Sequence, residues 1–444
     1  MKKLLLILGF ILSTTLTYSQ KEALTWYFGN KIRLNFTSDN PTLFNPSFMN
    51  ARKGSFCMSN KVTGTPIFYS NGEILWRDTP TESAITANLY GDAQSLQPGI
   101  AFPAPGTDNE YYVFTTGNNQ HKGAFYTKVD MSLNSGLGDI PPGQLNVQLQ
   151  GIDSCQKVVM ATKHANNRWY WVIYRNVGER NMLYAYLVTE AGVSTTPITS
   201  DCITSHGTND YAMSKFAPAM WNPSGLLYCY TSDNWTTEER KTYELYYFNL
   251  RSGIFSAELL FPGLPDKPVE DDIQHRSNGI EFSTDGRFMY SSVMALDPGP
   301  PQMPKQYVGQ YNMGKTNSLV DFLLEIKLQP KDNVIDQFCE MQLGRNGKIY
   351  IAQDENKSNK FLSVINYPNK RGADCEFTES SFSLNGRECT FGLPTFVPSF
   401  FSRFEYEGVC FPDTTYFKST FHPKPNRVVW DFGDGSPTVS GFEV

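Results

Sequence analysis

The chain has 444 residues, of which 40% are hydrophobic and only 18% charged, with 34 glycines, 27 prolines, 24 tyrosines and 31 phenylalanines. That balance favours short strands and many turns over helices. A net charge of −6, with no basic run of five or more, argues against a nucleic-acid partner, because phosphate binding needs clustered cations.

Residues 1–19 read as a secretory signal. Lys2-Lys3 form the basic start, Leu4 to Leu16 the apolar stretch, and Thr17-Tyr18-Ser19 the cleavage site before Gln20. The apolar run is too short to span a bilayer, and no later segment is long and apolar enough to do so. The mature protein is expected to be secreted, either extracellular or held at the outer-membrane surface.

Strands are predicted in order from Leu24. Leu24–Gly29 and Lys31–Phe36 open the chain, and a meander over Ser55–Asn60, Thr65–Ser70 and Glu73–Arg77 follows. Further groups begin at Gly99, Val158, Lys215, Asn278 and Glu340, each with about four alternating segments. The turn glycines Gly225, Gly286 and Gly347 recur with spacings of 286 − 225 = 61 and 347 − 286 = 61. Asn278–Tyr290 shows the unit: alternating strand, Asp285-Gly286 turn, second strand. Weaker copies of the turn stand at Asn166-Asn167-Arg168 and Thr107-Asp108-Asn109. A fixed period in an all-strand chain means repeated sheets.

The expected fold is therefore all-β: a seven-bladed β-propeller over residues 20–403. Six units run from Ser55 to about Asn385. Leu24–Phe36 and Phe391–Phe401 are expected to pair as the seventh blade, closing the ring with strands from both ends. The period exceeds the 40–45 residues or so of a WD40 blade, so the excess should lie in loops such as 231–242 and 294–305.

Motifs of catalysis are missing. There is no Gly-x-Ser-x-Gly elbow, phosphate loop, dinucleotide fingerprint or Cys-x-x-Cys. The five histidines show no metal-ligand spacing. His164 is expected to hold a turn. His206 and His275 lie in loops that can reach a propeller's central channel and are candidate binding residues, or an acid–base pair. Trp235, an aromatic in the polar loop Ser232–Thr237, is the third candidate, as a contact for sugar or protein. No cofactor is expected; calcium at Glu270-Asp271-Asp272 is the alternative, although the alternating ligands of a dedicated loop are missing. Among eight cysteines, Cys375 and Cys389 bracket one short loop and are the disulfide candidate, whereas Cys229 sits in a strand as a buried thiol.

After Phe401 the composition changes. Trp430-Asp-Phe-Gly-Asp-Gly435 resembles the signature of PKD domains, which are immunoglobulin-like β-sandwiches. Residues 404–444 are expected to begin such a domain. About 100 residues would complete a sandwich, so the chain is expected to continue beyond Val444. Trp26–Asn30, Gly64–Gly72, Ser135–Asp139, Lys163–Asn166 and Gly392–Phe396 resemble the propeller heads of large Bacteroidetes surface proteins. That resemblance implies type IX secretion, with the secretion machinery as a partner during export, and surface display linked to gliding or adhesion. The expected function is a non-enzymatic surface module that binds a glycan or protein. The alternatives are a polysaccharide hydrolase or lyase, or a scaffold of the secretion or gliding machinery.

Overall fold

The computed structural model describes residues 21–444 except 80, 82, 178–180, 204–212, 219–224, 232–241, 263–273, 297–303, 314–323, 329–336, 355–358, 402–403, 408–413, 420–427 and 431–435. Residues 21–401 form one compact unit and 402–444 belong to another.

The first unit is a seven-bladed β-propeller, built from seven sheets in chain order whose successive strands pair antiparallel. Blade 1 has three strands, Thr25–Phe28, Ile32–Asn35 and Thr42–Leu43. Blade 2 uses Ser55–Ser59, Pro66–Ser70, Leu75–Arg77 and Ala84–Thr86, and blade 3 starts at Gly99–Pro103. Blades 4 to 7 begin with Cys155–Lys163, Met213–Pro218, Gln274–Phe282 and Gln337–Leu343. Each of these first strands meets the next, from Thr25–Phe28 of blade 1 to Gln337–Leu343 of blade 7.

Aromatic side chains stitch the seams between blades. Tyr27 stacks on Tyr69 at 4.2 Å, Phe68 meets Tyr111 at 5.7 Å, and Phe102 stacks on Tyr170 at 4.2 Å. Trp171 meets Phe248 at 6.2 Å, and Tyr243 meets Tyr311 at 6.0 Å. The last seam closes where Tyr350 of blade 7 sits edge-on to Trp26 of blade 1 at 5.8 Å. Each such pair contributes roughly 0.5–1.5 kcal/mol beyond its buried area. This is the use to which the chain puts its abundant Tyr and Phe.

Ring closure differs from the expectation. The C-terminal strand Pro394–Thr395 does not join the N-terminal strands in one blade. It pairs in parallel with Ser55–Phe56, becoming the innermost strand of blade 2. Blade 1 instead completes itself with Thr42–Leu43. Between them, Phe391 N donates to Arg52 O at 3.2 Å and Glu340 N donates to Phe391 O at 3.0 Å. The closing segment thus spans from blade 7 to blade 2, passing beside Gly29, where any Cβ would lie 2.6 Å from Glu388 O.

The proposed Cys375–Cys389 disulfide is absent, and the two thiols are not joined. Cys375 is buried with Tyr290, Phe338 and Ile365, while Cys389 is buried in the separate core that holds Trp26 and Phe396. Sequence proximity misled because Cys375 ends a 3-10 turn, Gly372–Cys375, and a whole strand, Phe377–Ser383, intervenes. Cys229 is a buried strand thiol, 3.7 Å from Met289 Sδ.

In the second unit, Phe404–Glu407 pairs with Tyr416–Ser419, and Val429–Trp430 pairs with Val439–Ser440. Trp430 lies 5.7 Å from the Phe417 ring, and its Nε1 donates to Gly441 O at 2.8 Å. Residues 431–435 of the Trp-Asp-Phe-Gly-Asp-Gly motif lie outside the described residues.

Candidate functional site

Strand order divides the propeller into two faces. The turn face carries the connections from first to second strands, including Ser283–Arg287 and Gly344–Lys348. These are the turns of the 61-residue period, and they are short and built by their own side chains. Asp285 Oδ1 accepts from Arg287 N at 3.1 Å, and Gly286 takes φ +70°. His164 belongs here too: its Nδ1 accepts from Asn166 N at 3.0 Å, so Nε2 carries the proton donated to Arg251 O at 3.2 Å. Such turns are scaffold.

The opposite, loop face carries the second-to-third-strand hairpins and the links between blades. The ends of the first and second strands meet there, as Met213 with Thr231 and Gly99 with Thr115. On this face a pocket of about 460 Å³ opens between blades 2 and 3. Glu73, Asn88, Tyr90, Asp92, Asn118 and His121 are among the residues that line it.

Local turn chemistry builds the pocket. Asn71 Oδ1 accepts from Glu73 N and Ile74 N, both at 3.0 Å, and fixes the turn that presents Glu73. Gly72 and Gly91 touch so closely that a Cβ on Gly91 would lie 2.1 Å from Gly72 O. Asn118 Oδ1 accepts from Gln120 N at 2.9 Å and His121 N at 2.8 Å, while its Nδ2 donates to Gly91 O at 3.2 Å. One carboxamide therefore shapes the blade 3 hairpin and ties it to the blade 2–3 link. Asn146 holds the same link from the other side, accepting from Tyr90 N at 3.0 Å and donating to Asn88 O at 2.6 Å. The outcome is a parallel stack of Tyr90 on His121, 3.6 Å apart and tilted by 4°. Both rings are half-buried.

Behind the pocket the blade 2–3 link reaches other blades. Asp92 pairs with Lys157 of blade 4. Ser95 Oγ donates to Lys157 O at 2.5 Å. Leu96, fully buried, joins Met213, Ala217 and Ile280 of blades 5 and 6. Gln97 exchanges two 2.9 Å hydrogen bonds with the backbone of Ser214. The blade 2–3 link therefore crosses the ring to touch blades 4, 5 and 6.

Deeper in the ring lies a polar belt. Lys215 Nζ is 3.2 Å from Glu281 Oε2 and donates to Gln342 Oε1 at 2.8 Å. Glu281 Oε2 also accepts from Leu343 N at 2.9 Å. Glu340, fully buried, accepts from Leu393 N at 2.7 Å, and its Oε1 has no partner among the described residues. Burial pushes the Glu340 carboxyl up to about 8; Lys215 and the Leu393 amide pull it down, and Glu281 adds to the rise. This belt joins blades 5, 6 and 7 to the closing segment. Its burial gives it a structural role rather than a ligand-facing one.

Trp235 and His206 lie outside the described residues, as do Glu270, Asp271 and Asp272. His275 is the second residue of the blade 6 inner strand, opposite Ala295. The strand ends Asp201, Met213, Thr231 and Thr242 stand on the loop face, the same face as the pocket. Among the described residues no group of three His, Cys, Asp or Glu is placed to hold a metal. Also among the described residues, no helix is long and apolar enough to cross a membrane. Sequence reading missed Tyr90 and His121 because they sit in separate connections with no shared period. The Asn71-Gly72-Glu73 turn was the one local signal.

No family model matches the chain, and no curated protein does. Solved propellers resemble it at low identity. A puromycin hydrolase structure is 10% identical with a TM-score of 0.41, covering 90% of this chain and 52% of that one. This chain thus spans about half the length of that enzyme. The propeller domain of the Trilobed protease from Pyrococcus furiosus is 9% identical over 94% of this chain and 97% of that one, with a TM-score of 0.37. The six-bladed lectin of Aleuria aurantia is 10% identical over 80% of this chain and 97% of that one, with a TM-score of 0.36. A gluconolactonase and a prolyl oligopeptidase are similar at the same low level, and none of these likenesses assigns an activity.

Proposed function

We propose that this chain is an exported binding module whose loop face takes a glycan in the pocket between blades 2 and 3. The observation that carries the reading is the Tyr90–His121 stack in a 460 Å³ pocket beside carboxylates and carboxamides. Flat rings offer a surface to the apolar face of a sugar, and hydrogen-bonding side chains fix its hydroxyls. Export rests on residues 1–19. Display on a Bacteroidetes surface through type IX secretion, on a stalk that begins with a PKD domain at 404–444, rests on the sequence resemblance.

The test is a screen of the purified chain from Gln20 onward against immobilised oligosaccharides. Binding that falls at least tenfold in Tyr90→Ala supports the reading, and failure to retain any glycan overturns it. Trp235→Ala in the same screen asks whether the 231–242 loop extends the site. A glycan hydrolase is the second reading, favoured by Glu73, Asp92 and His121 meeting in one pocket. Release of reducing ends from a retained glycan would shift the choice to it.

A further inference from the structure

The charge of the pocket specifies which sugars fit. Among the described residues two carboxylates line it, and no lysine or arginine does. They are not equivalent. Asp92 is buried and neutralised by Lys157, itself buried. Glu73 is exposed at the rim, its Oε1 accepting only a backbone amide, Ala93 N, at 3.3 Å. Among the described residues no cation pairs with Glu73. The pocket therefore keeps one uncompensated negative charge beside the Tyr90–His121 stack.

On the basis of the glycan reading above, we propose that the pocket selects a sugar carrying a free, protonated amino group and turns away uronic and sulfated sugars. An ammonium within about 4 Å of Glu73 is favoured, and an anionic group at that distance disfavoured, by roughly five- to tenfold each at the dielectric of a surface site. The preference should fade as salt screens it, because Glu73 is exposed. The same carboxylate turns away phosphate-bearing ligands, in keeping with the negative charge of the whole chain.

The experiment is calorimetric titration of the purified chain with three matched oligomers: glucosamine, N-acetylglucosamine and galacturonate. Glucosamine is expected to bind about five- to tenfold more tightly than its acetylated counterpart at low salt, with galacturonate weakest. Glu73→Gln keeps a carbonyl acceptor for the Ala93 amide and should bring the ratio of the first two to about one. Glu73→Asp should retain part of the preference, which separates charge from shape. Galacturonate binding as tightly as glucosamine, or a ratio unmoved by Glu73→Gln, overturns the selectivity and leaves the glycan reading standing. Binding of none of the three by the wild-type chain overturns the selectivity alone; it is an empty oligosaccharide screen that removes the glycan reading itself.

Discussion

Glu340 of blade 7 accepts the backbone amide of Leu393 at 2.7 Å, so a buried carboxyl holds the segment that closes the ring. Its folded value near 8 stands above the ordinary 4.5, so the folded protein binds this proton more tightly than the unfolded chain. The contribution is fully present below about 4.5 and is lost as the pH rises towards 8 and beyond. The melting temperature should fall across that window. Glu340→Gln, which keeps the acceptor without the charge, should flatten the fall and gain roughly 1–4 kcal/mol above pH 8. Parallel melting curves for the two proteins would show that Glu340 does not carry this dependence.

Arg175 and Glu244 form a second buried link, 2.8 Å apart and both wholly enclosed at the seam of blades 4 and 5. Arg175 also lies 4.3 Å from the Tyr230 ring. Removing the carboxylate alone leaves a buried cation, so Glu244→Ala should cost roughly 3–5 kcal/mol in denaturant unfolding. Adding Arg175→Met should recover much of that loss. Additive losses in the double variant would contradict a coupled pair.

The periodic turns make a backbone prediction. Gly286 has φ +70°, and a Cβ there would lie 2.5 Å from Pro218 O of the neighbouring blade. Gly143 has φ +75° with nothing within 4 Å. Gly286→Ala therefore carries strain and a clash, roughly 2–4 kcal/mol, whereas Gly143→Ala carries only the conformational cost of about 1 kcal/mol. Equal shifts in unfolding midpoint would mean that the blade contact at Gly286 is not rigid.

Peptide mapping under non-reducing conditions should find no peptide linking Cys375 to Cys389, since they lie in separate parts of the core. Recovery of that cross-link would contradict the packing around both thiols.

The sequence revealed the repeat better than the seam. Gly286 and Gly347 announce their turns because positive φ demands glycine, and alternation then gives the strands on either side. Pro394–Thr395 has no such mark: a parallel pair with Ser55–Phe56 uses no turn, and two residues show no period. Glu281 falls in the alternating strand that opens Asn278–Tyr290, yet it also pairs with Lys215 of the neighbouring blade. Glu340 and Gln342, polar residues among the apolar Phe338, Cys339, Met341 and Leu343, were the legible hint of that belt. The reach of Leu96 and Gln97 across the ring was hidden, because a link that crosses a ring has no local signature. Tyr90 and His121 meet only once three asparagines, at 71, 118 and 146, have folded their separate loops.

The site on the loop face is tested most directly by one comparison. Glycan affinity is measured calorimetrically for the wild-type chain, for Tyr90→Ala, and for Tyr367→Ala, an exposed aromatic that follows the third strand of blade 7 on the turn face. Tyr90→Ala should lower affinity at least tenfold while the chain stays folded, and Tyr367→Ala should bind like the wild type. Full affinity in Tyr90→Ala, or a loss in Tyr367→Ala instead, would contradict the assignment of the pocket between blades 2 and 3.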